Sequence, residues 1–211
     1  MGGLAGIGFA ATIVLANVVA VPAGLPLTGS DIAAVDAFFG THGTAVGVSS
    51  ALTPLAWVFA TVFGAGVVAA TPHRDAWSLA GFGGLLMQNA TFAGIVAIRL
   101  ALAGTPDRAA LWALHDALFT LNGTFLALAL AGLSVGGHRA GLVRRWQVTL
   151  GLAAAALLFA SATLTPAVVD HAGPLGLLGL AGWLMWVVWL AAYGVTLQQR
   201  PAPAVREPAS A

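Results

Sequence analysis

Six apolar stretches, each close to the roughly twenty residues that a helix needs to cross a hydrocarbon layer, take up nearly all of this chain. They cover residues 4–21, part of 31–70, 77–102, 109–135, 146–166 and 175–198. Composition agrees: 59% of the 211 residues are hydrophobic and only 7% are charged, where a soluble domain carries about 25% charged residues. The expected fold is therefore an all-α integral membrane bundle of about six transmembrane helices. Residues 1–199 form that one bundle, and 200–211, rich in Pro and Ala, read as a disordered tail. The lipid bilayer is the first expected partner.

The first apolar run lacks the positive n-region of a signal peptide and is longer than a usual h-region, so it reads as the first span. Pro22, Gly24, Pro26 and Gly29 then break the helix. Ser30 is the expected N-cap of the next helix, with Asp31 in its first turn. The segment 31–70 would be about 60 Å long as one helix, too long for a single span. Either an interfacial helix precedes the span or the helix bends near Pro54.

Arginines set the expected orientation. With both termini in the cytoplasm, Arg74, Arg139, Arg144, Arg145, Arg200 and Arg206 lie inside, and only Arg99 and Arg108 lie outside. Trp77 and Trp146 then mark the inner interface and Trp112 the outer one. All eight basic residues are Arg in a chain rich in Ala and Gly, which points to a bacterial cytoplasmic membrane.

Several chemistries drop out. Without cysteine there are no disulfides, thiolate metal sites or Cys-ligated iron–sulfur clusters. Without lysine there is no retinal or PLP Schiff base. A net charge of +1 gives no reason to expect nucleic-acid binding. Ser134 stands in Gly-Leu-Ser-Val-Gly on the inner side, away from His115, so an intramembrane serine hydrolase is not expected and the chain leans away from catalysis.

An internal repeat is also legible. Val35-Asp-Ala-Phe-Phe-Gly-Thr-His-Gly-Thr44 aligns with His115-Asp-Ala-Leu-Phe-Thr-Leu-Asn-Gly-Thr124, matching Asp36 to Asp116 and His42 to Asn122. Upstream, Leu4-Ala-Gly-Ile-Gly8 echoes Leu79-Ala-Gly-Phe-Gly83. Val169-Asp170 and Leu180-Ala-Gly182 are fainter echoes. The bundle is expected to consist of two or three parallel helix-hairpin repeats.

The candidate chemistry gathers in the outer half. His115 and Asn122 are seven apart and share a helix face, with Asp116, Thr120 and Thr124 on an adjoining stripe. His42, Ser49 and Thr53 share a face, and so do Gln88 and Arg99, eleven apart, with Asn89 beside Gln88. A charged residue at mid-membrane costs about 2.5–3.5 kcal/mol on insertion scales. Arg99 is therefore expected either to reach for the headgroups or to pair with Asp116 or Asp36. His73 and His138, beside arginines in inner loops, read as solvated.

These residues support a binding protein with a His/Asp/Arg site. In a haem b site, His42 and His115 would face the iron, with Arg99 and Asn122 alongside and Arg99 on a propionate. A divalent-metal site would draw on His42, His115, His171, Asp36, Asp116 and Asp170. The same groups suit a proton or small-solute transporter or channel. A noncatalytic subunit of a membrane complex, or a homo-oligomer, is the third possibility. Trp186 and Tyr193, seven apart, either line an apolar pocket for a small apolar ligand or porphyrin, or pack against small residues of a neighbouring helix.

Overall fold

Glycine decides how closely these helices approach. In the computed structural model, which describes residues 1–71, 75–170 and 174–199, eight helices form and six of them are long and apolar enough to cross a membrane. The crossings are α1 (Gly2–Ala20), α3 (Gly43–Ala70), α4 (Ala76–Gly104), α5 (Ala109–Arg139), α6 (Arg145–Thr163) and α8 (Gly176–Gln198). Two short helices, α2 (Ile32–Thr41) and α7 (Thr165–Asp170), lie between crossings. There is no strand among the described residues. The protein is a multi-pass membrane protein, with large apolar side chains such as Val18, Val58, Leu114, Leu121 and Val188 turned outward toward lipid.

Each crossing packs against the next in sequence, and α8 packs back onto α1, so the six form a closed ring. An even number of crossings returns the chain to the end where it began. The bundle thus has a terminal end, where the first crossing starts and the last one finishes, and an opposite α2 end. A Cβ on Gly3 would lie 2.6 Å from the Gly194 carbonyl oxygen, and one on Gly2 would lie 3.1 Å from Gly66 Cα. Between α4 and α5, a Cβ on Gly81 would come within 2.5 Å of the Leu133 amide nitrogen. Small residues let backbones meet at these points, the usual basis of helix packing in lipid.

The segment 31–70 breaks after Thr41, not at Pro54. Its N-cap is Asp31, not Ser30: the Asp31 carboxylate accepts from the Ala34 amide at 2.8 Å. Pro54 sits inside an unbroken α3. It has no N–H for the Ser50 carbonyl, and Thr53 Oγ1 donates to that carbonyl instead, at 2.6 Å. The two repeat segments consequently fold differently. Val35 to Thr44 spans α2, the break and the start of α3, while His115 to Thr124 lies within one helix.

Two apolar clusters result. The larger fills the middle and the terminal half with Phe9, Phe63, Leu85, Leu130, Trp186, Trp189 and Tyr193. Here Trp186 meets Phe9 edge-on at 5.2 Å, and Phe63 meets Tyr193 edge-on at 5.4 Å. Of the two roles open to Trp186 and Tyr193, the structure shows packing. The smaller cluster, Val35, Phe38, Phe39, Val46, Leu102 and Trp112, caps the α2 end.

The glycine contacts give a direct test. Gly81→Ala must move a backbone, and overpacking of this kind costs about 1–3 kcal/mol. Gly83 faces open space, so Gly83→Ala should be neutral or gain up to about 1 kcal/mol from helix propensity. Thermal unfolding in detergent is expected to show a lowered Tm for the first variant only.

Candidate functional site

Between the two clusters, α5 buries no large apolar side chain. From Trp112 to Leu126 its buried residues are His115, Asp116, Thr120, Asn122 and Gly123. In the middle of α4 the buried polar residues are Gln88 and Asn89, and Arg99 lies above them toward the α2 end. The α2-end half of the bundle thus carries a polar stripe on α5 beside the apolar Ile95 and Val96 of α4. Groups of this kind at membrane depth must find partners within the protein or in enclosed water.

Arg99 begins the connected part. Its Nε–H donates to His115 Nε2 at 3.0 Å. An arginine has no acceptor, so Nε2 carries no proton, and the imidazole proton sits on Nδ1. From there it is donated to Asp116 Oδ1 at 3.1 Å. The other carboxylate oxygen, Oδ2, accepts from the Gly29 amide at 2.8 Å. Gly29 has φ +81°, a left-handed conformation that suits glycine and turns this N–H into the bundle. One line of hydrogen bonds therefore ties α4, α5 and the segment between α1 and α2 together.

Stacking fixes the imidazole as well. Trp112 lies parallel to it at 4.6 Å on one side and Phe119 at 5.7 Å on the other. Trp112 also donates from Nε1 to the Ser30 carbonyl at 3.2 Å. It is buried in this stack, which corrects its reading as an interfacial belt residue. The Arg99 guanidinium carbon stands 5.6 Å from the centroid of the Phe119 ring, a cation–π contact.

Arg99 does not reach for the headgroups. No carboxylate lies within salt-bridge distance of it among the described residues. Its two Nη groups have no protein partner there either, since its hydrogen bond to His115 uses Nε. Arg99 instead borders a half-enclosed cavity of about 30 Å³, lined by the polar Asn17, Ser49, Ser50 and Thr53 and by apolar residues that include Ile13, Phe92 and Val96. Ser49 and Thr53 donate their hydroxyl protons to the carbonyls of Val46 and Ser50. Ser50 Oγ makes no bond to the protein among the described residues, and Asn17 Nδ2 has one N–H beyond its bond to Ile13. The donors left facing this space are Arg99, Ser50 and Asn17.

The expected site residues divide into three groups. Arg99, His115 and Asp116 come together, although Arg99 reaches Asp116 through His115 and not directly. Asn122 lies on the same face of α5, deeper in the membrane. The structure does not bring His42 and Asp36 to this cluster. His42 is exposed, bonded to Thr41 Oγ1 through Nδ1 at 2.8 Å and stacked on Phe38. Asp36 pairs with Arg108 at 3.4 Å near the surface. His171 and the side chain of Asp170 lie outside the described residues, as do His73 and Arg74. Among the described residues no group of three or more His, Asp or Glu could hold a metal ion. Both ring nitrogens of His115 are already bonded, so iron or a metal there would have to displace Arg99 or Asp116.

Ser134 completes a Gly-x-Ser-x-Gly spacing with Gly132 and Gly136, but it stands mid-helix, fully buried and without a hydrogen-bond partner. The strand-to-helix elbow that exposes such a serine in hydrolases is absent there. Sequence reasoning missed Asn17, Ser50, Gly29 and Phe119. Asn17 carried a signal, as the only amide in the first apolar run. Compared with known protein families, curated proteins and solved structures, the chain matches none.

The Asp116 bond to Gly29 should set the mobility of the 21–31 segment. Asp116→Ala is expected to speed hydrogen exchange at the Gly29 amide by tenfold or more, about 1.4 kcal/mol for one charge-assisted hydrogen bond. Exchange mass spectrometry reads this directly. An unchanged rate would show that other contacts hold the segment.

Proposed function

We propose that this protein is a membrane protein that binds a small monovalent anion, a halide or the carboxylate of a small acid, on Arg99 inside the α2-end half of the bundle. The observation that carries the reading is the state of Arg99. Its Nε is fixed by His115, which is itself fixed by Asp116, Trp112 and Phe119. Its Nη groups meet no carboxylate among the described residues, and Arg99 borders a cavity of mixed polar and apolar lining. A donor so held loses little entropy on binding, the essence of preorganisation. The cavity of about 30 Å³ exceeds the roughly 10–15 Å³ that one water needs, so it has room for a water, a halide or one carboxylate end.

Purified protein in detergent tests this at constant ionic strength, with gluconate exchanged for chloride, bromide, formate or acetate. At least one small anion should raise Tm saturably, because a ligand that binds only the folded state stabilises it by mass action. Arg99→Gln should abolish the rise. If no small anion raises Tm, or if Arg99→Gln responds as the native protein does, the reading fails.

Arginine bias supports a cytoplasmic terminal end, with Arg139, Arg144 and Arg145 there and Arg99 and Arg108 at the α2 end. The anion site then opens to the outside of a bacterial cytoplasmic membrane. Because the chain has no cysteine, single substitutions report cleanly. Thr28→Cys should react with an impermeant maleimide added to intact cells, and Gly141→Cys only after lysis; the reverse pattern would invert the orientation.

A further inference from the structure

Below the Arg99 site, two buried amides lack any protein partner. Gln88 and Asn122 are each only 6% exposed. Neither makes a hydrogen bond to the protein among the described residues, and Gln88 Oε1 and Asn122 Oδ1 are fully enclosed. A buried amide without a partner costs about 1–3 kcal/mol on mutational scales. Two of them near one level in a membrane protein call for an occupant.

Their placement connects them to the anion site. Gln88 lies eleven residues from Arg99 on the same face of α4, about 16 Å deeper along the helix. Asn122 lies seven residues, or about 10 Å, below His115 on the same face of α5. Packing sets the two helices in register: a Cβ on Gly84 would lie 2.9 Å from the Phe125 carbonyl oxygen, which brings Gln88 and Asn122 to within about one turn of each other. Beneath them, Leu85 and Leu126 begin the large apolar cluster.

Phe92 and Phe119 stand between the two levels, with ring centroids 6.4 Å apart. At about 100° per residue, Phe119 falls in the middle of the arc of α5 that buries His115, Asp116, Asn122 and Gly123. It is nevertheless 37% exposed. The ring is therefore not packed over on all sides. Phe92 also lines the Arg99 cavity. Phe92 thus has the cavity on one side, and the unpartnered amides lie deeper along the same helices.

We infer that Gln88 and Asn122 form a second station for the small anion, deeper in the membrane, and that Phe92 and Phe119 are the barrier between it and Arg99. The amide N–H groups supply donors to the anion, and the enclosed oxygens take protons from water that accompanies it. This rests on the anion reading of Arg99 and extends it from binding at one end to passage toward the middle of the bilayer.

Crystals of the full chain grown with bromide decide the matter by anomalous scattering. Two bromide peaks are expected, one beside the Arg99 guanidinium and one between Gln88 and Asn122. The Gln88→Leu/Asn122→Leu double variant should lose the deeper peak and keep the Arg99 peak. Leucines suit this apolar surrounding, so the variant should fold. Its thermal unfolding, compared with the native protein, confirms that it does. A peak at Arg99 alone in the native protein would overturn the second station and leave the anion site standing. No peak at either place would overturn both. A deeper peak that survives the double substitution would also overturn the assignment.

Discussion

A guanidinium beneath the membrane surface must be matched from within the protein, and that requirement organises the α2-end half of this bundle. Arg99 lies five residues from the end of α4, about 8 Å along the axis. That is near enough to the surface for a long side chain to turn outward. It turns inward because His115 offers an unprotonated nitrogen at 3.0 Å and Phe119 offers a ring face. His115 can do so only because Asp116 takes its other proton, and Asp116 in turn needs a donor for its second oxygen. The Gly29 amide supplies it. The path of the chain between α1 and α2 therefore follows from a charge two helices away.

Two principles of packing divide the molecule. In the terminal half, glycines bring helices into backbone contact and large rings fill the remaining space. Gly3, Gly6 and Gly194 close α1 on α8, while Phe63, Trp189 and Tyr193 pack edge-to-face behind them. Dispersion and shape suffice there, since lipid gives no hydrophobic drive between helices. In the other half the apolar cluster around Phe39 and Leu102 shares the interior with hydrogen-bonding groups on α4 and α5, whose directionality leaves space that close packing would fill. The cavity beside Arg99 lies in this half.

The hydrophobic runs and the seven-residue spacing of His115 and Asn122 were enough to read the six crossings and one face of the site. Apolar length and helical period are local properties, so they survive folding unchanged. The companions of that face were not legible. His42 and Asn122 occupy matching places in similar segments, yet the first segment breaks after Thr41 and the second continues as helix. Its His42 accordingly ends on the surface against Phe38. Sequence left Arg99 either reaching for the headgroups or pairing with Asp116 or Asp36. Asp36 found Arg108 instead, because α2 lies beside the start of α5. Asn17 and Ser50 joined the cavity through contacts between α1, α3 and α4, which depend on tertiary packing that no local pattern records.

The proposed sign of the ligand rests on which charge is left open. Arg99 and Asp116 are both beneath the surface and bridged by a neutral imidazole, so the cluster carries no net charge by itself. A site open on the Asp116 side would attract cations, but both Asp116 oxygens are bonded and the residue is 2% exposed. The open side is the guanidinium. Around it the hydroxyls of Ser49 and Thr53 are already turned toward carbonyls, while Ser50 and Asn17 still have protons to give. An anion entering this space meets donors, and Asp116, whose field opposes it, stands behind the imidazole. In the proposed reading, the same carboxylate that balances the Arg99 charge also weakens the hold on a bound anion, which favours release as well as capture.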